Sequence, residues 1–150
     1  MKKKYFLFTT LALLALVKTT TAQTDNTFSG IGSGVNNTGD FNTGSNWASG
    51  IVPATGKPVI ITQGNALTLS SNATVGSVIV SAGGVLSLGS NSITVDGGDL
   101  FNGGTFNANT GTVALTASVN QKVNTNGDPF YNFTMNGTGG ATLYDDVEVG

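Results

Sequence analysis

The chain has 150 residues, of which 22 are Gly and only 9% are charged, and it contains neither Cys nor His. Disulfides, thiol and imidazole catalysis, and the common zinc ligand sets are therefore excluded. Four of the six basic residues (Lys2, Lys3, Lys4 and Lys18) precede residue 23. Beyond that point Lys57 and Lys122 stand against eight acids, a net charge of 2 − 8 = −6 that argues against nucleic acid or an anionic membrane surface as partner.

Residues 1–22 have the pattern of a cleavable export signal. Three lysines precede an apolar run from Tyr5 to Val17, and Thr20 and Ala22 are the small residues before a cleavage point between Ala22 and Gln23. The apolar run is shorter than the roughly 20 residues a bilayer-spanning helix needs, and Thr9 and Thr10 interrupt it. No transmembrane span is expected after processing, and the product is expected to be secreted or at the cell surface.

Residues 23–58 are expected to be a lead-in and N-terminal cap. The first part is rich in Gly, Asn, Thr and Ser with isolated Phe28, Ile31, Val35 and Phe41. Trp47 is either a sugar-stacking platform or a plug for the open end of whatever core follows, and its size beside Pro53 favours the plug.

From Val59 to Gly150 short apolar–small–apolar units recur: Leu67-Thr68-Leu69, Val78-Ile79-Val80, Leu86-Ser87-Leu88, Ile93-Thr94-Val95, Val113-Ala114-Leu115, Phe133-Thr134-Met135 and Val147-Glu148-Val149. Period-two alternation predicts half-buried strands, and no stretch carries helical period. The intervening corners are built from Gly, Asn, Ser and Asp. Such strands fit a β-sandwich or a parallel β-solenoid; the units at 78–80, 86–88 and 93–95, set apart by small corners, favour successive faces of one solenoid coil. Leu69, Val78, Val80, Leu86, Leu88, Ile93, Val95, Phe106, Val113 and Leu115 are expected inside, with Thr68, Ser87 and Thr94 outside. The near-duplication Leu100-Phe101-Asn102 and Thr105-Phe106-Asn107 predicts Phe101 and Phe106 stacked in the interior, with Asn102 and Asn107 at a corner.

The run Phe41-Asn42-Thr43-Gly44-Ser45-Asn46-Trp47-Ala48-Ser49-Gly50-Ile51-Val52-Pro53, followed by Val59-Ile60-Ile61, resembles the entry to β-helical repeats in large secreted surface proteins of Bacteroidetes. Gly104-Thr105-Phe106, Gly111-Thr112-Val113, Phe130-Tyr131-Asn132-Phe133-Thr134 and the stretch to Val149 resemble the repeats that follow in these adhesin-like proteins. The resemblance spans residues 41–149. It implies a β-solenoid continuing past Gly150, since such proteins are longer and end in a sorting domain for type IX secretion. It departs at Lys57-Pro58, where the family often carries an acid.

Carboxylates are the remaining candidates for chemistry. Asp96 and Asp99 flank Gly97-Gly98, and Asp145, Asp146 and Glu148 cluster near the end. Paired carboxylates serve glycoside hydrolysis or bind calcium; the plainer reading makes Asp96 and Asp99 turn residues bonding their own backbone, and Asp145 and Asp146 charges guarding a strand edge. No phosphate-cradling motif occurs, and no catalytic residue, cofactor or metal is expected. Asn36, Asn72, Asn132 and Asn136 begin N-x-[ST] triplets, which chance supplies in so Asn- and Thr-rich a chain. The expected function is a non-catalytic adhesin-like structural or binding protein, with extracellular polysaccharide as the candidate partner. The alternatives are a polysaccharide-active β-helix enzyme and a carbohydrate- or ice-binding module.

Overall fold

The computed structural model describes Thr27–Phe28 and residues 37–150. The export signal with its Ala22–Gln23 cleavage point lies outside the described residues.

The described residues form fourteen short strands, six of them on the alternating units: β1 (Thr27–Phe28), β2 (Asn37–Asp40), β3 (Pro58–Ile61), β4 (Asn65–Thr68), β5 (Ala73–Val75), β6 (Ser77–Val80), β7 (Val85–Ser87), β8 (Ser92–Val95), β9 (Leu100–Asn102), β10 (Thr105–Asn107), β11 (Thr112–Leu115), β12 (Gln121–Asn124), β13 (Asn132–Met135) and β14 (Ala141–Leu143). Every strand pairing is parallel. Sheet I runs β1-β3-β6-β9-β12-β14, sheet II β2-β4-β7-β10 and sheet III β5-β8-β11-β13. Consecutive strands fall in different sheets, so the chain winds as a β-solenoid of about four turns. The units at 78–80, 86–88 and 93–95 are the three faces of one turn, and the sandwich alternative, which needs hairpins between them, is excluded.

Each turn takes about 20 residues, within the range of solenoid repeats. Val59, Val78 and Leu100 share one ladder, and Leu100 pairs onward with Val123 and Val123 with Leu143. All ten residues expected inside are buried. Thr68, Ser87 and Thr94 lie outside the core. Register is held because a slip of one residue would carry a strand's buried set to the solvent side.

Corners are shaped by local conformation and space. Gly83 sits at φ 76°, which an L side chain rarely adopts. At Gly111 a Cβ would come within 2.5 Å of the Asn91 carbonyl oxygen and 2.7 Å of Leu88 Cβ.

Two expectations are corrected. Phe101 points outward, half-buried, with its ring 6.0 Å from that of Tyr144, while only Phe106 enters the core. The reason is register: Leu100 and Asn102 pair with Val78 and Val80, whose side chains face inward, and Phe101 pairs with outward Ile79. Asn102 does stand at the corner that ends β9, buried, with its Oδ1 accepting the Gly104 N–H at 3.1 Å. The unit Val147-Glu148-Val149 builds no strand; Val149 makes a single parallel bridge to Phe130.

The first turn is closed by aromatics. Trp47 is 2% exposed, packs edge-on against Phe28 and Phe41 at 5.5 and 5.3 Å between ring centroids, and donates from Nε1 to the Phe41 carbonyl at 2.8 Å. Its rings are covered, as the plug reading requires and a sugar platform does not allow. At the other end, β13 and β14 are the last strands of their sheets, and Met135 and Leu143 are half exposed.

Candidate functional site

The corner between β8 and β9 holds the first carboxylate pair. Asp96 Oδ1 accepts the Gly56 N–H at 3.2 Å, reaching back toward the start of the solenoid. Asp99 Oδ1 accepts the Lys122 N–H at 2.8 Å, reaching forward to the next turn. Both carboxylates bond backbone, as the turn reading expects, but the backbone belongs to other turns rather than to their own corner. They are drawn in opposite directions along the axis, and general acid–base work on one glycosidic bond needs two carboxyls converging on it.

Asp145 and Asp146 separate in the same way. Asp146 is exposed. Asp145 is half-buried, and its carboxylate takes the Thr125 N–H at 2.9 and 3.0 Å, the Thr125 hydroxyl at 2.9 Å and the Gly127 N–H at 3.3 Å. Burial raises its pKa, but the donors from Thr125 and Gly127 outweigh it and hold the carboxyl below its ordinary value. It is a turn-to-turn anchor rather than a charge guarding an edge.

Two residues that the sequence did not single out complete the pattern. Asp128 Oδ2 accepts the Phe106 N–H at 2.6 Å and the Asn102 side-chain amide at 2.9 Å. Gln121, 1% exposed, accepts the Ala117 N–H at 3.1 Å and donates to the carbonyls of Val95 at 3.1 Å and Gly98 at 2.7 Å. In sequence Gln121 occupies an ordinary interior position of its strand; only its partners in the preceding turn give it a role. Among the described residues no three acidic side chains converge as a metal site, and no helix is long and apolar enough to cross a membrane.

The outer faces carry ladders of small polar residues. On sheet II, Asp40, Thr68 and Ser87 are in register, with Asn107 beside Ser87. On sheet III the ladder is Thr74, Thr94, Ala114 and Thr134, beside Ser92, Thr112 and Asn132. Thr68 and Thr94 thus belong to different faces, and Ser87 and Ala114 each interrupt a different row. Sheet I instead shows an apolar line of Ile60, Ile79 and Phe101.

No protein-family model, curated protein or solved structure matches this chain.

Proposed function

We propose that this chain is a non-catalytic, secreted or cell-surface adhesin-like protein of the kind its motifs resemble: a β-solenoid whose core is scaffold and whose outer surface contacts an extracellular polysaccharide or another surface. The observation that carries this reading is the use of the carboxylates. Asp96, Asp99, Asp128 and Asp145 each accept a backbone N–H from another turn. Each of these carboxylates is thereby committed to joining turns, and Asp96 and Asp99 do not converge on one point as glycosidic hydrolysis needs. The outer faces of sheets II and III are small, polar and mostly uncharged, a composition suited to contact with hydroxyl-rich surfaces.

The test is incubation of the purified chain with a panel of polysaccharides, following product release and retention on the insoluble members. Retention without product is the expected result. Reproducible release, abolished by Asp96→Asn or Asp99→Asn, would overturn the reading in favour of an enzyme.

A further inference from the structure

The three prolines of the chain follow different residues: Pro53 follows Val52, Pro58 follows Lys57 and Pro129 follows Asp128. The last pair is chemically distinct. An aspartyl carboxylate lies close enough to its own carbonyl carbon for one oxygen to close a five-membered ring on it. In most aspartyl bonds the backbone nitrogen of the next residue competes by attacking the side-chain carbon instead, as at Asp96-Gly97. Proline has no N–H to do so, and at Asp128-Pro129 the oxygen route alone is open.

The reaction at this bond balances with water alone. An Oδ atom of Asp128 bonds to the Asp128 carbonyl carbon, the bond from that carbon to the Pro129 nitrogen breaks, and the nitrogen takes a proton from solvent. Water then opens the cyclic anhydride. Asp128 regains its side chain and gains a C-terminal carboxylate, and Pro129 becomes a new N-terminus. Nothing is oxidised or reduced.

In the folded chain the carboxylate is held elsewhere. Oδ2 accepts the Phe106 N–H at 2.6 Å and an N–H of the Asn102 side chain at 2.9 Å, both from the preceding turn. Asn102 is fixed in its turn: it is 2% exposed and also donates to the Thr125 carbonyl at 2.7 Å. The Asp128 N–H donates to the Thr125 carbonyl at 3.1 Å, and beyond Pro129 the Phe130 ring is buried 5.4 Å from that of Phe106. Both sides of the bond are thus anchored. The two carboxylate oxygens turn as one group, so holding Oδ2 holds Oδ1. For either to reach the carbonyl carbon, the carboxylate must leave the gap between the turns and strand the Phe106 N–H, which disfavours the reactive geometry.

We propose that Asp128–Pro129 is a self-cleavage site that the fold keeps closed: it is inert while Asp128 ties two turns together and is cut once they part. Scission is thereby coupled to unwinding at one place in the solenoid, and it breaks the chain between β12 and β13.

The test is incubation of the purified chain in mildly acidic buffer over a series of guanidinium chloride concentrations, with intact-mass spectrometry and N-terminal sequencing of the products. The expected product begins at Pro129 and forms at least roughly tenfold faster in the unfolded chain than in the native one, the ratio set by stranding one donor. Below the unfolding transition the rate should follow hydrogen exchange of the Phe106 amide, which reports the parting of the same tether. Asn102→Ala should raise the native rate by roughly tenfold, the effect of losing one hydrogen bond to a charged group, and leave the unfolded rate unchanged. Gly111→Ala, destabilised away from the tether, should raise it less at matched stability. If Asn102→Ala does not fold, the exchange series on the parent chain decides. In the unfolded chain, where packing plays no part, Asp128→Ala should give no product beginning at Pro129. No product from the unfolded parent, cutting at another bond, native cutting as fast as unfolded, a rate indifferent to Phe106 exchange, Asn102→Ala no faster than Gly111→Ala, or undiminished cutting of unfolded Asp128→Ala would overturn the proposal.

Discussion

Asp145 and Thr125 meet across one turn of the solenoid, with the Thr125 N–H and hydroxyl both donating to one carboxylate at 2.9 Å. Because these donors hold the folded-state pKa below the unfolded value of about 3.9, Asp145 contributes stability that is fully present above that value and is lost as pH falls through the folded-state pKa. Urea unfolding at a series of pH values from 6 down to 2 checks this. The parent should lose more stability across the acid limb than Asp145→Asn, and equal losses would show that the anchor does not contribute.

Gln121 stitches two turns from inside the core. Replacing it by Ala leaves the Gly98 carbonyl and the Ala117 N–H without this partner, takes the second of two donors from the Val95 carbonyl, which keeps the Thr116 N–H, and opens a cavity. A loss of roughly 2–4 kcal/mol is expected by chemical denaturation. Gln121→Glu should also destabilise, since a carboxylate cannot donate to either carbonyl.

Trp47 is the sole Trp, so its fluorescence reports the aromatic plug alone. Its emission should be blue-shifted and resist acrylamide until unfolding, and neutral sugars should leave it unchanged. Trp47→Ala should cost about 3–5 kcal/mol, the usual penalty for emptying a large buried aromatic site.

Gly111→Ala places a methyl against the Asn91 carbonyl and Leu88, both in the preceding turn. The backbone must shift to relieve it, and a loss of roughly 1–3 kcal/mol is expected from thermal or urea unfolding. Gly127→Ala, where a Cβ meets nothing within 4 Å, separates conformational cost at φ 80° from steric cost.

N-terminal sequencing of exported protein should begin at Gln23. A mature chain that began at Met1 would remove the export reading.

The core could be read from the sequence wherever one strand's own alternation decided it. Val78, Val80, Leu86, Leu88, Ile93 and Val95 needed only period two and the short corners between them. Phe101 shows where that reasoning stops. Its repeat with Phe106 lies across two Gly residues and two different sheets, and the phase of each strand is set by the ladder beside it. A polar residue such as Asn102 can occupy the interior because Asp128 and the Thr125 carbonyl meet its amide. The same distance hid the anchors: Asp128, Asp145 and Gln121 act on partners about one turn away, and nothing in the residues beside them marks that contact.

The parallel ladders also fix how the molecule answers a pull. Each turn advances the axis by only about 4.8 Å, the spacing of neighbouring strands, yet about 20 residues of extended chain span roughly 66–72 Å. A turn that peels from an end therefore releases more than ten times its folded length. Force along the axis stretches the inter-strand hydrogen bonds directly, one turn at a time, and the tethers made by Asp99, Asp128, Asp145 and Gln121 stand across the gaps that open between β9, β12 and β14. Stretched from its two ends, such a rod yields in steps, each absorbing work before the next turn is loaded.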